Sequence, residues 1–258
     1  MDLGLAGRVY LLTGASRGLG FAAARALVAD GAHVIISSRD GGRVGEAVAA
    51  LHAEAETARA TGTAHGVVAD NADEGTAHRL VAAALHGHGR LDGALISVGG
   101  PPRGTATAAN DQQWRDAFES VFLGAVRLAR TVAGHLGASG GGAIVFVLSS
   151  SVRSPLPSLG ISNGLRPGLA GVAKDMADEH GPHGVRVLSL LPGSILTDRL
   201  REVYPTPDDL AAATTGIPLG RLGEPIEFGR VAAFVLSPAA SYLTGTAITV
   251  DGGALRAL

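Results

Sequence analysis

The sequence predicts an α/β fold: a doubly wound, seven-stranded parallel sheet with helices on both faces, occupying residues 1–258 as a single domain. Three observations predict it. Short apolar runs alternate with alanine-rich stretches of helical spacing from end to end. The first apolar run leads straight into a glycine-bearing turn, TGASRGLG (Thr13–Gly20). No linker, low-complexity stretch or internal repeat breaks the alternation. Such alternation implies parallel strands joined by right-handed crossovers, with ligands at the carboxyl ends of the strands near the point where strand order reverses.

Val9, Tyr10, Leu11 and Leu12 are continuous in hydrophobicity, as a strand buried on both faces requires. Gly14, Gly18 and Gly20 then permit a tight turn and close backbone approach. The helix that follows, Phe21–Ala29, directs unpaired N–H groups and a positive dipole end at the turn, which suits a pyrophosphate. His33–Ser38 reads as the second strand and Arg43–Ala60 as a helix. Ala64–Ala69 is the third strand, ending at Asp70, followed by a helix over Asp73–His88 and a fourth strand at Gly93–Ser97. Trp114, Phe118, Val121, Phe122, Ala125 and Leu128 recur at helical spacing and predict one long helix from Asp111 to about Leu136. Ala143–Leu148, Val185–Leu191 and Ala247–Val250 complete the sheet, with a further helix containing Leu169–Glu179. Arg199–Pro218 is a polar, proline-bearing insertion.

Composition narrows the function. A net charge of −2 gives no electrostatic footprint for nucleic acid or an anionic membrane. No apolar run reaches the ~20 residues that span a bilayer, and MDLGLAGR lacks the basic and apolar regions of a secretory signal, so a cytoplasmic location is expected. The absence of cysteine excludes disulfides, thiolate metal sites and cysteine nucleophiles. The nine histidines form no ligand pattern with carboxylates, so no metal is expected; His86 and His88, in HGHGR, read as exposed.

TGASRGLG, Asp70, LPGSILTD (Leu191–Asp198) and the tail IPLGRLGEP…SYLTGTAITVDGG (Ile217–Gly253) resemble the short-chain dehydrogenase/reductase family over nearly the whole chain. Within it the chain is most similar to 3-oxoacyl-acyl-carrier-protein reductase-like members. The resemblance implies a Rossmann-type fold and a nicotinamide dinucleotide. It assigns the phosphates to Gly14, Ser16, Arg17, Gly18, Leu19 and Gly20, the adenine region to Asp70 and Asn71, the ribose side to Gly99, and the nicotinamide to Pro192, Gly193, Ile195 and Thr197. The second strand ends in Ser37-Ser38-Arg39, with no acid at the position that binds a ribose 2′-hydroxyl. Ser38 and Arg39 therefore predict NADP(H), provided that Asp40 turns away.

Relatives use a tyrosine as general acid, a lysine four residues on, a serine thirteen before the tyrosine and an asparagine in the long preceding helix. Counting back along ISNGLRPGLAGVAKDMADEHGPHGVRV puts Ser162 at the tyrosine position and Arg166 at the lysine position. Counting from either side then agrees on Ser149 for the serine, while Val121 stands at the asparagine position. Ser149, Ser162 and Arg166 are thus the candidate catalytic residues, with Arg166 also placed to hold the nicotinamide ribose. An alcohol is a far weaker acid than a phenol, so Ser162 suits a substrate that makes little demand on a protein acid, such as an imine, iminium or conjugated enone. Tyr204, in the insertion that folds over substrate in relatives, is the alternative phenol, with lid packing as its competing role. Pro167 predicts that its helix starts late, near Asn163 or Gly164, or is kinked there. Ser149, Pro101-Pro102-Arg103, Pro155-Leu156-Pro157 and Arg199–Pro218 would shape the substrate pocket.

Three functions are compatible with these residues: an NADPH-dependent reductase of a C=O, C=N or conjugated C=C group; a non-redox cyclase, isomerase or dehydratase using the pocket as scaffold; and a non-catalytic NADP-binding protein. The partner is a small-molecule substrate in each catalytic reading, and the resemblance implies a homotetramer or homodimer.

Overall fold

The computed structural model describes residues 2–257. The elements run β1 (Val9–Thr13), α1 (Gly18–Ala29), β2 (His33–Ser38), α2 (Gly41–Ala58), β3 (Ala64–Val68), α3 (Thr76–His88) and β4 (Gly93–Ser97). There follow α4 (Asp111–Ala117), a π-helical turn (Phe118–Leu123), α5 (Gly124–Ala138), β5 (Gly142–Val147) and α6 (Gly160–His180). Next come β6 (Val185–Pro192), two short helices α7 (Asp198–Val203) and α8 (Pro207–Ala212), then α9 (Pro225–Leu236) and β7 (Ala247–Val250).

The sheet has seven strands in the order β3-β2-β1-β4-β5-β6-β7, and every pairing is parallel. Its order reverses between β1 and β4, where the first and second halves diverge. Buried apolar side chains form two clusters, one on each face. Leu80, Leu128, Phe146 and Leu169 lie in one, and Leu12, Leu27, Leu51 and Phe228 in the other. The central strands are buried on both faces, which is why their sequences are continuously apolar.

Local chemistry sets several boundaries. Asp40 caps α2 by accepting from the Arg43 N–H, and Asn110 and Gln113 form a reciprocal capping box at α4. Arg186, on β6, donates to the carbonyl oxygens of Val235, Leu236 and Ser237, satisfying the end of α9. Gly229 lets α9 approach α1, since a Cβ there would lie 2.3 Å from the Ala22 oxygen.

Some sequence expectations are corrected. The long helix is not uniform: the π-helical turn separates α4 from α5, and Val121 lies buried within it. The helix expected over Arg43–Ala60 is Gly41–Ala58, because Asp40 caps it two residues earlier and Arg59 turns left-handed at its end. The helix expected from Asp73 begins at Thr76, and its last residue, His88, is partly buried and stacks on His33 with ring centroids 4.6 Å apart. Helix α9 was not anticipated, although Pro225 at its first turn and the Glu224/Glu227 box are start signals.

Candidate active site at the carboxyl ends of β1, β4 and β5

The turn after β1 is built for an anion. Gly14 and Gly18 have φ of +58° and +59°, a region that favours glycine, and a Cβ on Gly20 would lie 2.7 Å from the Gly14 oxygen. Helix α1 therefore starts close against β1. Its N-cap, Arg17, supplies no side-chain cap, and no acid occupies the first turn, so its leading N–H groups remain available. Thr197 stands against this turn, its methyl 3.7 Å from where a Gly18 Cβ would be. Its hydroxyl caps α7 by accepting from Leu200, and its N–H donates to the Ile195 carbonyl. Gly193 donates to the Val250 oxygen, continuing β6 beside β7. The glycine turn and the Pro192–Thr197 segment, distant in sequence, thus meet at one end of the sheet.

At the end of β2, Asp40 is turned onto the start of α2 and its carboxylate lies 3.4 Å from Arg43. Arg39 is exposed and has no ion-pair partner among the described residues. Asp70 accepts from the Ala72 N–H, and Asn71 packs its carbonyl against Gly124 of α5. A Cβ on Gly99 would meet nothing within 4 Å, which leaves open space beside the end of β4. Free helix N–H groups, the unpaired Arg39 and this open cleft fit a phosphorylated dinucleotide.

Arg166 is the centre of the site. It is buried on α6, and its guanidinium reaches across the ends of β4 and β5. Nε donates to the Ser162 hydroxyl oxygen at 3.1 Å, Nη1 to the Val147 and Leu148 oxygens at 3.1 and 2.6 Å, and Nη2 to the Gly99 oxygen at 2.7 Å. Burial, and secondarily the charge of Arg199, pull its pKa down to about 10, so it is still charged at neutral pH. Ser162, one turn earlier, is buried. Ser149 follows β5 and accepts from the Ser151 N–H, leaving its own O–H as a donor.

A profile of the family described as enoyl-(acyl carrier protein) reductase matches residues 14–254. The Bos taurus protein named dehydrogenase/reductase SDR family member 4 is 34% identical over 252 residues, covering 97% of this chain and 88% of that protein. The chain belongs to the short-chain dehydrogenase/reductase family. L-Rhamnose 1-dehydrogenase (NAD(P)(+)) of Azotobacter vinelandii is also 34% identical, over 249 residues, with 95% and 96% of the two chains covered. Among solved structures, L-sorbose reductase from Gluconobacter frateurii, complexed with NADPH and L-sorbose, matches with a TM-score of 0.91 at 29% identity over the whole of both chains. A 7α-hydroxysteroid dehydrogenase complexed with NADH and 7-oxo glycochenodeoxycholic acid matches with a TM-score of 0.89 at 26% identity, covering 100% of this chain and 98% of that one.

In this short-chain dehydrogenase/reductase, Ser162, Arg166 and Gly99 are brought into one hydrogen-bonded group, with Ser149 directly after its β5 anchor. Two expectations change. Helix α6 starts at Gly160 and runs through Pro167 to His180, rather than starting late. Its first turn is held from outside: the Asn163 side chain both donates to and accepts from the Leu156 backbone, and Leu159 bridges Gly104. These ties offset the hydrogen bond that proline removes. Second, Arg166 spends four of its five N–H donors on protein oxygens, leaving one for any ligand.

Other residues fall outside this group. Arg103 is exposed, Tyr242 fully so, and Tyr10 is buried in β1, where desolvation raises its pKa. Tyr204 ends α7. A cavity of about 520 Å³ lined by Ile195, Pro218, Leu219 and Val250 lies at the β6–β7 edge and includes none of the three candidate catalytic residues. Sequence reasoning passed over two contributors. Thr13 Oγ1 accepts from the Ser97 N–H and donates to the Ser97 oxygen, each at 3.0 Å, bracing β1 to β4. Arg199 lies over Gly100, reaching the Gly100 and Pro101 oxygens. Thr13 was visible as the first residue of the glycine motif; Arg199 carried no signal beyond its charge.

Proposed function

We propose that this chain is an NADPH-dependent reductase that delivers hydride to a polarised C=O, C=N or conjugated C=C bond, with Ser162 and Arg166 standing where relatives carry tyrosine and lysine. The observation that carries the reading is the 3.1 Å bond from Arg166 Nε to Ser162 Oγ. A serine hydroxyl has one proton to donate. With its oxygen already receiving from a buried guanidinium, that proton is left to point at a substrate atom. The adjacent positive charge favours negative charge developing there, as an oxyanion site requires.

Ser149 supplies a second hydroxyl from the end of β5. Both hydroxyls stabilise charge without giving up a proton readily, because an alcohol is much less acidic than a phenol. An iminium, which hydride neutralises, or an enone, whose charge spreads over a conjugated oxygen, suits such a site. The bound dinucleotide supplies the hydride. The glycine turn with Arg17 would hold its phosphates, and Arg166, with one Nη2 hydrogen uncommitted, would be available to its ribose. Preference for NADPH over NADH is supported by the unpaired Arg39 and by Asp40 being committed to α2. That L-sorbose reductase, which matches over the whole of both chains, was solved with NADPH is consistent with this.

The test is NADPH consumption, followed by its absorbance, against a panel of ketones, cyclic iminium ions and enones. Oxidation of NADPH by any of these supports the reading. Conversion of a panel member with no change in the nicotinamide, or NADPH binding with no conversion of any of them, contradicts it.

A further inference from the structure

Arg166 and Arg199 are two positive groups with no acid beside them. Arg8, Arg79, Arg90, Arg127 and Arg221 all meet a carboxylate. Among the described residues no carboxylate oxygen lies within 4.0 Å of Arg166 or Arg199. The nearby acid of α7, Glu202, is instead directed at Arg17, 3.9 Å away. Keeping a buried guanidinium charged with a like charge close by is unfavourable, and an anion between the two would relieve it.

The geometry of Arg199 shows how an anion could be admitted. Arg199 is the second residue of α7, which Thr197 pins beside the glycine turn, and its guanidinium lies over Gly100. A methyl added to Gly100 would fall 2.1 Å from Arg199 Cζ, so only glycine leaves this seat. The bonds from Arg199 to the Gly100 and Pro101 oxygens are 3.4 and 3.3 Å, at the outer limit of hydrogen bonding. A carboxylate, accepting two short charge-assisted bonds from one guanidinium, outcompetes them.

We propose that Arg199, backed by Arg166, is a subsite for a carboxylate carried by the substrate, adjacent to the bond that is reduced. The proposal rests on the reductase reading for what the substrate undergoes, but the subsite itself is a binding site that can be tested without turnover. Substrates of this class are small unsaturated, imino or oxo acids, with the carboxylate held at Arg199 and the reducible bond directed at Ser162 and Ser149.

Oxalate, acetamide and inorganic phosphate are titrated calorimetrically into the free protein and into the NADPH-saturated protein. Oxalate is expected to bind and acetamide not to. Arg199→Ala should weaken oxalate about tenfold or more, Arg199→Lys less so because it keeps the charge but not the fork, and Gly100→Ala should mimic Arg199→Ala by unseating the guanidinium. Thermal melts check that each variant is folded. No binding of oxalate to the wild-type protein overturns the proposal. So does Arg199→Ala weakening NADPH while leaving oxalate unchanged, which would make Arg199 a cofactor-phosphate contact. Phosphate binding tenfold tighter than oxalate, with the same dependence on Arg199, also overturns it. Failure of NADPH to bind at all would sink the reductase reading instead, while the free-protein titration still decides the subsite.

Discussion

At the scale of single residues, the site turns on a buried arginine that does two jobs. Arg166 holds the ends of β4 and β5 together through the carbonyls of Gly99, Val147 and Leu148, and it orients Ser162. Ser162→Ala is expected to lower kcat by about 100-fold, the cost of one oriented donor to developing charge, with NADPH affinity little changed in calorimetry. Arg166→Met leaves three strand-end carbonyls without their donor and is expected to lower both Tm and NADPH affinity. The folded pKa of Arg166, about 10, lies below its unfolded value. Between those values the unfolded chain binds the proton more tightly, so the burial cost is present at neutral pH and is released only as pH rises through about 10. A pH–rate profile should therefore show no Arg166 titration across the neutral range and a decline above about pH 10. Ser162 and Arg166 were picked out by one count along the helix sequence and Ser149 by counts from two directions, and the Arg166–Ser162 bond joins two of the three. Arg199 was not picked out, because an arginine in a polar insertion reads the same whether it faces solvent or a site.

At the scale of elements, the central strands were the most legible, since burial on both faces leaves an unbroken apolar run. Helix boundaries were less so, being fixed by caps and by contacts from elsewhere. The start of α6 was misread because proline's local effect was visible while the Asn163–Leu156 bonds that hold the preceding turn were not. Pro167→Ala is expected to stabilise the protein by about 1–3 kcal/mol by restoring a helical hydrogen bond, read as a rise in Tm. An unchanged or lower Tm would show that the proline serves the local packing. The π-helical turn holds Val121, and its periodicity is too close to that of an α-helix to be read from apolar spacing. The contact of α1 with α9 depends on Gly229, and Gly229→Ala is expected to cost about 1–3 kcal/mol through overpacking against Ala22, measured by denaturant unfolding.

At the scale of the whole molecule, topology explains why residues from opposite ends of the chain share one site: parallel strands bring all their carboxyl ends to one edge. Stability against acid is set at both ends of the sheet, by His88 beside the start of β2 and by Glu227 near the ends of β6 and β7. Burial, followed by the charges of His33 and His65, holds His88 below its usual 6.5. The unfolded chain then binds more protons, so stability present above about pH 6.5 is lost as pH falls through the folded value, and His88→Gln should flatten that part of the curve. A second loss follows at lower pH, between 4.5 and about 2, where the Arg221 bond and the Glu224 N–H hold Glu227 ionised. The homotetramer implied by the family resemblance is checked by light scattering, where a mass near one subunit would contradict it. The central claim is that the glycine turn, Arg17 and Arg39 bind a 2′-phosphorylated nicotinamide dinucleotide. Calorimetric titration of the protein with NADPH and with NADH tests it most directly: the account predicts saturable binding of NADPH that is tighter than that of NADH, and heat from neither dinucleotide, or tighter binding of NADH, would contradict it.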